Sequence, residues 1–327
     1  MLERYFGPQA DRPATFLRGA DTPIIGTDAG QWCSDFLAAT SVVDNGGELW
    51  LYAEGSSGGH EQIGLFTGTV DGEAPRFAPH PANPVLRVGE EGYSRGGVFD
   101  PAVVRFGGSW HLYFSATEGD AHEFAEQLAH GAASDQPAGE SIGHATSTDG
   151  VNWVKDPQPV IPGGRCPAVI VWDETLFLFR VQVKDGGYRI HLSTSRDGVT
   201  FVPFSDEPVL DVGAAGEWDA RSVTTPKVIA DGSLFWLSYA GDDAGFDDLT
   251  GLGVAWSEDL VHWTKSPANP IFAAGQDGKF DGVSVQSPII LPTDDGAVLL
   301  YAGSDRTVGQ GLHSTVGFAR LVESAAP

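Results

Sequence analysis

The sequence predicts an all-β protein, a single five-bladed β-propeller with four-stranded antiparallel blades. The main observation is a repeat. An apolar run, a Gly/Asp turn and an aromatic-rich second run occur five times, a pattern typical of β-hairpins. Five such units over nearly the whole chain indicate a propeller, in which the blades bury their faces against one another. The turns and second runs lie at 44–55, 106–116, 172–182, 230–241 and 293–303.

Two further recurring elements complete the blades. Three hairpins are followed by a Ser-x-Asp turn that precedes an aromatic residue. Four units are closed by a short apolar run beside a proline. Because the blades pack on one another, we expect one domain over 1–327, with a β-sandwich of accidental internal similarity as the alternative. The fifth unit lacks a closing run, and an N-terminal segment that includes 21–25 is expected to supply it. The Ser-x-Asp elements lie at 147–153, 195–201 and 257–263, and the closing runs at 83–86, 158–161, 207–210 and 269–272.

Composition excludes several classes of partner. The 327 residues include 44 acidic and 19 basic side chains, for a formal net charge of −25. Nucleic acids and anionic membrane surfaces require a basic face, so we expect neither as a partner. No apolar stretch approaches the ~20 residues of a membrane span, and the N-terminus lacks the apolar core of a signal peptide. We therefore expect a cytoplasmic protein, and the cysteines Cys33 and Cys166 are too few for a disulfide framework.

Alternating strand direction predicts which loops share a face. We define the upper face by the starts of the first strands, to which the second strands return. The long connection 117–141 and the connection 242–249 are then both on this face, and 123–133 is expected to form two helical turns above a central funnel. Long insertions on one rim favour a ligand site there.

The Asp-Pro-Ala-Val-Val run at 100–104, the Ser-x-Asp-Gly-x-x-Trp run at 147–153 and the five-fold hairpins resemble those of the five-bladed propeller glycosidases. These are the family 43 arabinofuranosidase/xylosidase group and the related families 32 (invertases) and 130. The resemblance covers roughly residues 30–321. It implies three acids on the innermost strands: an Asp in blade one, an Asp-Pro in blade two and a Glu just before a Pro in blade three. Glycoside cleavage needs one carboxylate to activate water or attack carbon, and one carboxylic acid to protonate the leaving oxygen.

By this resemblance, Asp35 matches the base or nucleophile of blade one and Asp100 matches the aspartate of blade two. Blade three departs from the pattern, because Arg165-Cys166-Pro167 stands where relatives have the glutamate. A guanidinium is always cationic and cannot act as a general acid at neutral pH. We therefore expect Arg165 in the site together with either a relocated acid or a loss of activity on ordinary glycosides.

Candidate replacement acids and sugar-binding residues follow from strand direction and from a second repeat. Glu54, Glu118 and Glu217 are expected on the upper face. The segments 216–226 and 278–288 each place an aromatic residue before an aspartate, which suits stacking on a sugar and binding its hydroxyls, or equally a structural cap with a buried ring. Thr224 or Thr225 is expected in the funnel wall with the axial residues. The predicted substrate-binding residues are Trp32, Glu54, Glu118, Glu217, Trp218, Asp219, Phe280, Asp281 and Gln286.

No cofactor is expected, since the sequence has neither a P-loop nor a dinucleotide-binding glycine pattern. His313 matches a region where relatives place a channel histidine near a metal, although a structural role is the favoured interpretation. Three functions stay open for a small, sugar-containing substrate. They are a glycosidase-like enzyme with a non-standard acid acting on a furanoside or pyranoside, a propeller of the same descent that acts on a polar or anionic molecule through Arg165, and a non-catalytic carbohydrate-binding propeller. The sequence leaves the oligomeric state open.

Overall fold

The computed structural model describes residues 1–8, 10–11, 14–58, 60–70, 74–119, 140–243, 249–293, 296–307, 310 and 313–323. Five antiparallel sheets account for almost all of the regular structure, which confirms the predicted all-β propeller of five four-stranded blades. The expected helical turns at 123–133 and the middle of the connection 242–249 lie outside the described residues.

Each blade has three main strands in antiparallel order from the axis outward. Blade one consists of β2 (Phe36–Asn45), β3 (Glu48–Ser57) and β4 (His60–Thr69), and blade two of β6 (Gly97–Phe106), β7 (Ser109–Thr117) and β8 (Ser141–Ser147). Blade three consists of β11 (Arg165–Trp172), β12 (Thr175–Lys184) and β13 (Gly187–Ser195), and blade four of β15 (Ser222–Asp231), β16 (Leu234–Asp242) and β17 (Gly251–Ser257). Blade five consists of β20 (Ser284–Thr293), β21 (Gly296–Ser304) and β22 (Thr315–Glu323).

In blades one to four, the fourth position is divided between two short segments. The first is a short strand, which follows the aromatic turn in blades two to four. The predicted closing run forms the second, either as a two-residue strand or as a single bridge to the third strand. The closing runs therefore lie where they were expected, but they share that place. The short strands are β5 (Arg76–Pro79), β9 (Val154–Lys155), β10 (Ile161–Pro162), β14 (Val202–Pro203), β18 (Thr264–Lys265) and β19 (Phe272–Ala273), and the bridges are Ile63 with Leu86 and Ile190 with Leu210.

The N-terminal segment completes blade five, as expected, although most of the pairing comes from an earlier stretch than 21–25. Strand β1 (Ala14–Arg18) pairs along β22, and within 21–25 only Ile25 adds an isolated bridge to Val316. Before β1, the short helix α1 (Glu3–Phe6) places Phe6 against Phe16 of β1 in the apolar layer between blades four and five. The start and the end of the described chain are thus joined in one sheet. Two 3₁₀ turns, η1 (Thr27–Ala29) and η2 (Gln31–Cys33), then lead into blade one.

The core consists of five apolar layers, one between each pair of neighbouring blades. Alternating side chains on both faces of each sheet are buried, so the strands contain nearly continuous apolar runs rather than a polar outer face. Within the described residues, no helix has the length and apolar character needed to cross a membrane.

The innermost strands bend at the axis in the same way. In four blades the residue before a proline has a positive φ of 45–53°, and the pairing register shifts there, which marks a β-bulge. Blade one has a register shift around Thr40 instead, with no proline. A positive φ is uncommon for residues other than glycine, so each bulge is a strained position held by its surroundings. The four residues are Asp100, Cys166, Thr225 and Ser287.

The closure of blade five by β1 generates a prediction. Phe16 is 3% exposed and stacks on Phe6, whereas Leu17, its neighbour on the same strand, is 56% exposed. Phe16→Ala is expected to lower the free energy of unfolding by about 3–5 kcal/mol, because it removes a buried ring and leaves a cavity. Leu17→Ala, the matched control, should change it by less than about 0.5 kcal/mol in urea titrations. Equal effects would show that β1 does not dock in solution.

Candidate active site at the propeller axis

A buried polar cluster surrounds Asp100 where blades one, two and three meet. The carboxylate Oδ2 of Asp100 accepts hydrogen bonds from the hydroxyl of Ser115 at 2.7 Å and from the backbone N–H of Cys166 at 3.2 Å. The backbone N–H of Asp100 donates to Oε2 of Glu54 at 2.5 Å. Because the bulges turn these N–H groups toward the preceding blade, one chain of hydrogen bonds links three innermost regions. Asp100 is 4% exposed and Glu54 is 6% exposed.

Glu54 lies on β3 and has the electrostatic environment of a proton donor. Burial raises its pKa well above the usual 4.5, and the negative charges of Asp100 and Glu61 raise it further. The Asp100 N–H and the Arg165 guanidinium act in the opposite direction without cancelling the rise. A raised pKa is the shift that a general acid requires, because such a group must hold a proton until the leaving oxygen accepts it. Of the three replacement acids expected from the sequence, Glu54 is the one that contacts Asp100.

Arg165 faces the same cluster from the start of β11. Its Nε lies 4.0 Å from Oδ2 of Asp100, and its Nη1 lies 3.7 Å from Oε1 of Glu140. The Nη1 group also donates to the hydroxyl of Tyr188 at 3.4 Å, and the guanidinium lies 5.5 Å from the centre of the Phe99 ring. The side chain is 19% exposed, more than the carboxylates it contacts. Arg165 thus lies between the buried acids and solvent.

Lys227 and Cys166 complete the cluster. Lys227 follows the bulge of blade four and is buried close enough to interact electrostatically with Asp100 and Glu54. Burial lowers the pKa of Lys227, and the two carboxylates oppose that shift. Burial and the charge of Asp100 raise the pKa of the Cys166 thiol well above its usual value, so Cys166 is a buried packing group rather than a reactive thiolate.

Asp35 lies apart from this cluster, on the upper rim of blade one just before β2. It is exposed, and its carboxylate accepts hydrogen bonds from the hydroxyl of Ser34 at 3.0 Å and from the N–H of Gly58 at 2.9 Å. None of the contacts described for Asp35 reaches Asp100 or Arg165. Of the two aspartates that the resemblance places in the site, Asp100 is therefore the one with a described contact to Arg165.

The other two candidate acids are exposed and have local roles. The backbone carbonyl of Glu118 accepts a hydrogen bond from Nε of Arg95. The carboxylate of Glu217 accepts the N–H of Ala214 at 2.8 Å and so caps the connection between blades three and four. Neither has a described contact with Asp100.

The aromatic–aspartate pair of blade four has structural contacts. Asp219 is buried, and its Oδ2 accepts hydrogen bonds from the hydroxyl of Tyr239 at 3.0 Å and from the Lys265 ammonium at 2.7 Å. The Trp218 ring stacks on that of Tyr239 at 5.6 Å between centroids. These contacts agree with a structural cap and a buried ring. They do not support the interpretation that the pair binds a sugar.

Blade five repeats that arrangement. Asp281 is fully buried and accepts hydrogen bonds from the hydroxyl of Tyr301 at 2.8 Å and from Nε of Arg18 at 2.6 Å. The Phe280 ring stacks on Tyr301. Gln286 is partly buried beside the bulge of β20. The aspartate contacts fix each inter-blade connection to the second strand and to an outermost strand of its blade.

The remaining axial and rim positions have these surroundings. Thr225, in the bulge of blade four, accepts the N–H of Ser287 through its hydroxyl at 3.1 Å, and the neighbouring Thr224 is buried. Nδ1 of His313 lies 2.9 Å from Oδ1 of Asp305. Among the described residues, no group of three or more His, Cys, Asp or Glu side chains has the arrangement of a metal site.

The sequence analysis did not predict four members of the cluster, which are Ser115, Glu61, Glu140 and Lys227. A lone lysine or serine within an apolar strand carries no motif, and Glu140 ends the long insertion, where the sequence gives no register. Lys227 did have one signal, because it directly follows a proline in phase with Pro101 and Pro167. A charged residue at an otherwise apolar position of the innermost strand points to the axis.

Comparison with known proteins gives close agreement in fold and little in sequence. No protein-family model matches the chain. The uncharacterised proteins MT1551 and Rv1502, from two strains of Mycobacterium tuberculosis, are each 26% identical over 161 residues, covering 47% of this chain and 49% of theirs. The chain thus matches about half the length of these curated relatives.

Solved structures match over nearly the whole chain. A complex of BT0996 with RGII has a TM-score of 0.69 at 13% identity, covering 96% of this chain and 95% of that protein. A protein of the family 130 mannoside phosphorylases and hydrolases that target β-1,2 mannosidic linkages has a TM-score of 0.68 at 16% identity. The match covers 98% of this chain and 96% of that protein. A family 43 enzyme of Xanthomonas citri complexed with xylotriose has a TM-score of 0.61 at 15% identity. The match covers 93% of this chain and 90% of that protein. The chain shares its propeller fold with these proteins, and the glycoside hydrolase neighbours expected from the sequence are confirmed.

The burial of Glu54 predicts a pH dependence of stability. A carboxyl whose pKa is higher in the folded than in the unfolded chain stabilises the fold below the unfolded value, about 4.5, and this contribution is lost as pH rises through the folded value. Glu54→Gln keeps a side-chain acceptor for the Asp100 N–H and does not ionise. The difference in unfolding free energy, wild type minus Glu54→Gln, should therefore fall as pH rises above 5, by at most about 1.4 kcal/mol per pH unit, and should level off above the folded pKa.

Urea titrations at pH 5, 6 and 7 measure this difference, with Glu118→Gln at an exposed position as the control. The control difference should be independent of pH. A constant difference for Glu54→Gln would mean that Glu54 is ionised in the folded protein at every pH tested.

Proposed function

We propose that the protein is a glycosidase-like enzyme that acts on a sugar-containing substrate, with Glu54 as the general acid in place of the glutamate missing from blade three. The observation that carries this proposal is the contact between Glu54 and Asp100, two buried acids in unequal environments. Glycoside cleavage requires one carboxyl that keeps its proton and another that carries charge, and unequal environments create that division. A cytoplasmic location and a small-molecule partner belong to the same proposal.

Asp100 supports charge separation at this site. Its carboxylate accepts two hydrogen bonds and faces the Arg165 guanidinium, contacts that stabilise negative charge. That charge raises the pKa of Glu54 and would also stabilise positive charge developing on the sugar ring. Arg165 therefore serves as a counterion of Asp100, with no part in proton transfer.

Asp35 is our candidate for the group that activates water. It is exposed on the upper rim, and its backbone N–H pairs with the carbonyl of Ser56 on β3. Glu54 lies two residues before Ser56 on that strand, about 7 Å away along the chain. An inverting mechanism needs two carboxyl groups roughly 6.5–9.5 Å apart, and Asp35 and Glu54 are the pair that we propose for it.

The charges of the cluster disfavour an anionic substrate. Four carboxyl groups, Glu54, Glu61, Asp100 and Glu140, face the cations Arg165 and Lys227. The carboxyl groups outnumber the two basic groups, so an added anion would meet further acidic side chains there. A neutral glycoside fits this balance better than a phosphate or carboxylate ligand.

A second candidate function is sugar binding without catalysis. It is favoured by one observation: the hydrogen bonds of Asp100 and Glu54 link blades, so the two acids also have a structural use. Measurement of turnover separates this candidate from the first.

Loss of the acid should affect substrates unequally. Glu54→Gln is expected to reduce kcat on unactivated glycosides by about 10²–10⁴-fold, because it removes proton donation to the leaving oxygen. Aryl glycosides with acidic phenol leaving groups should lose much less, since they leave without protonation. Glu118→Gln is the matched control and should retain both activities. Equal losses on both substrate types, or full activity of Glu54→Gln, would remove Glu54 from the role of acid.

Asp35 allows a separate test. Because its side chain is exposed, Asp35→Asn should leave the thermal midpoint within about 2 °C of wild type while reducing kcat by at least about 10²-fold on aryl and unactivated glycosides alike. Asp28→Asn, at a nearby exposed position of η1, is the control for charge. Near-normal turnover of Asp35→Asn would exclude Asp35 as the activating group.

A further inference from the structure

A polar cavity of about 650 Å³ opens on the upper face at the outer side of blade one. Its wall includes Trp32, Ser57, Gln62, His80 and Arg87. The volume lies within the usual range of small-molecule sites, and the cavity is separate from the buried cluster around Asp100. We propose that this cavity is a distal glycan subsite, which binds a second sugar unit of an oligosaccharide whose other end reaches the axis. The inference rests on the proposed function.

The indole of Trp32 provides the first argument. Its six-membered ring packs against Gly55 and Gly64, where a Cβ atom would lie 2.5 Å and 2.3 Å from the ring. Its buried Nε1–H has no hydrogen-bond partner among the described residues. At that edge stands Gly30, where a Cβ would lie 2.8 Å from Nε1, and both Gly30 and Trp32 line the cavity. A buried donor without an acceptor is costly, so a ligand oxygen that reaches this edge would gain free energy.

The other polar groups of the wall are also available. The side chains of Gln31, Gln62 and Arg87 have no hydrogen bond or ion pair with any other residue in the part of the chain that the structure describes. Two amides and a guanidinium supply donors and acceptors in several directions, and three proline rings of the wall add apolar surface. Pyranose and furanose rings present the same mixture, with hydroxyls around the edge and C–H groups on the faces.

The path to the axis is short. Ser57, in the cavity wall, accepts a hydrogen bond from the hydroxyl of Ser34 at 3.1 Å, and Ser34 precedes Asp35. Along β3, Ser57 lies three residues beyond Glu54, about 10 Å of extended chain. An oligosaccharide with one unit between Asp35 and Glu54 would therefore reach the cavity with its next units.

The test uses the indole N–H signal of Trp32 in two-dimensional ¹H–¹⁵N spectra of the full chain, assigned by its loss in Trp32→Phe. Wild type and Glu54→Gln, which prevents consumption of the ligand, are titrated with xylo-, arabino-, manno-, galacto- and gluco-oligosaccharides of three to five units. At least one series should shift the Trp32 signal downfield with saturation, while the matching monosaccharide shifts it much less.

Variants link the shift to the cavity. Arg87→Ala and Gln62→Ala should each raise the Kd by about 5–10-fold, as expected for loss of a hydrogen bond. Arg76→Ala, an exposed arginine on β5 outside the cavity wall, is the matched control and should leave the Kd unchanged. If no oligosaccharide shifts the Trp32 signal, or if Arg87→Ala and Arg76→Ala have equal effects, the subsite does not exist.

The outcome is separable from that of the proposed function. Binding at Trp32 without turnover by wild type would retain the subsite and favour the non-catalytic propeller. If turnover depends on Glu54 while the Trp32 signal does not shift and Arg87→Ala has the KM of wild type, the proposed enzymatic function stands and the subsite proposal is overturned.

Discussion

The centre of the propeller depends on one constraint, which is that the backbone N–H groups of the β-bulges need hydrogen-bond acceptors. The N–H of Cys166, which donates to the Asp100 carboxylate, is one of them. A β-bulge withdraws a backbone N–H from its own sheet, and a buried N–H needs an acceptor. Here the acceptor is a side chain of the preceding blade: Glu54 for Asp100, Ser115 and Asp100 for Cys166, and Thr225 for Ser287. Neighbouring blades are thereby joined at the axis by bonds that each require a particular side chain.

This arrangement explains why chemistry and stability coincide at the axis. An acceptor that is a carboxylate brings negative charge into a region where charge is expensive, with a cost of several kcal/mol per unpaired ion. Two responses to that cost are visible in the structure. Arg165 and Lys227 supply positive charge, and Glu54 is driven toward its protonated form. The proton donor that we propose, Glu54, therefore depends on the same burial that accompanies the contacts between blades.

The sequence predicted the fold well because the signals of a propeller are local. Hairpin turns, Ser-x-Asp turns and closing runs each depend on a few adjacent residues, and their repetition fixed the number of blades. The aromatic–aspartate pairs 218–219 and 280–281 show the limit of such reasoning. A motif gives no side-chain direction, and these aspartates turn to a tyrosine hydroxyl and a cation of their own blade. The resemblance matched Asp35 to the base or nucleophile of blade one, but the bulge of that blade lies near Thr40, and Asp35 is exposed just before β2.

The arginine of blade three and the buried glutamate of blade one are best understood as one electrostatic unit. With a glutamate at position 165, the cluster would contain five carboxyl groups opposed by Lys227 alone, and further groups would have to bind protons to remain buried. The guanidinium offsets part of that negative charge, and the pKa of Glu54 is still raised well above its usual value. If the site cleaves glycosides, the acid has therefore moved from blade three to blade one without adding net negative charge at the axis. Arg165 is then a condition for the altered site, since it compensates Asp100 while Glu54 keeps its proton.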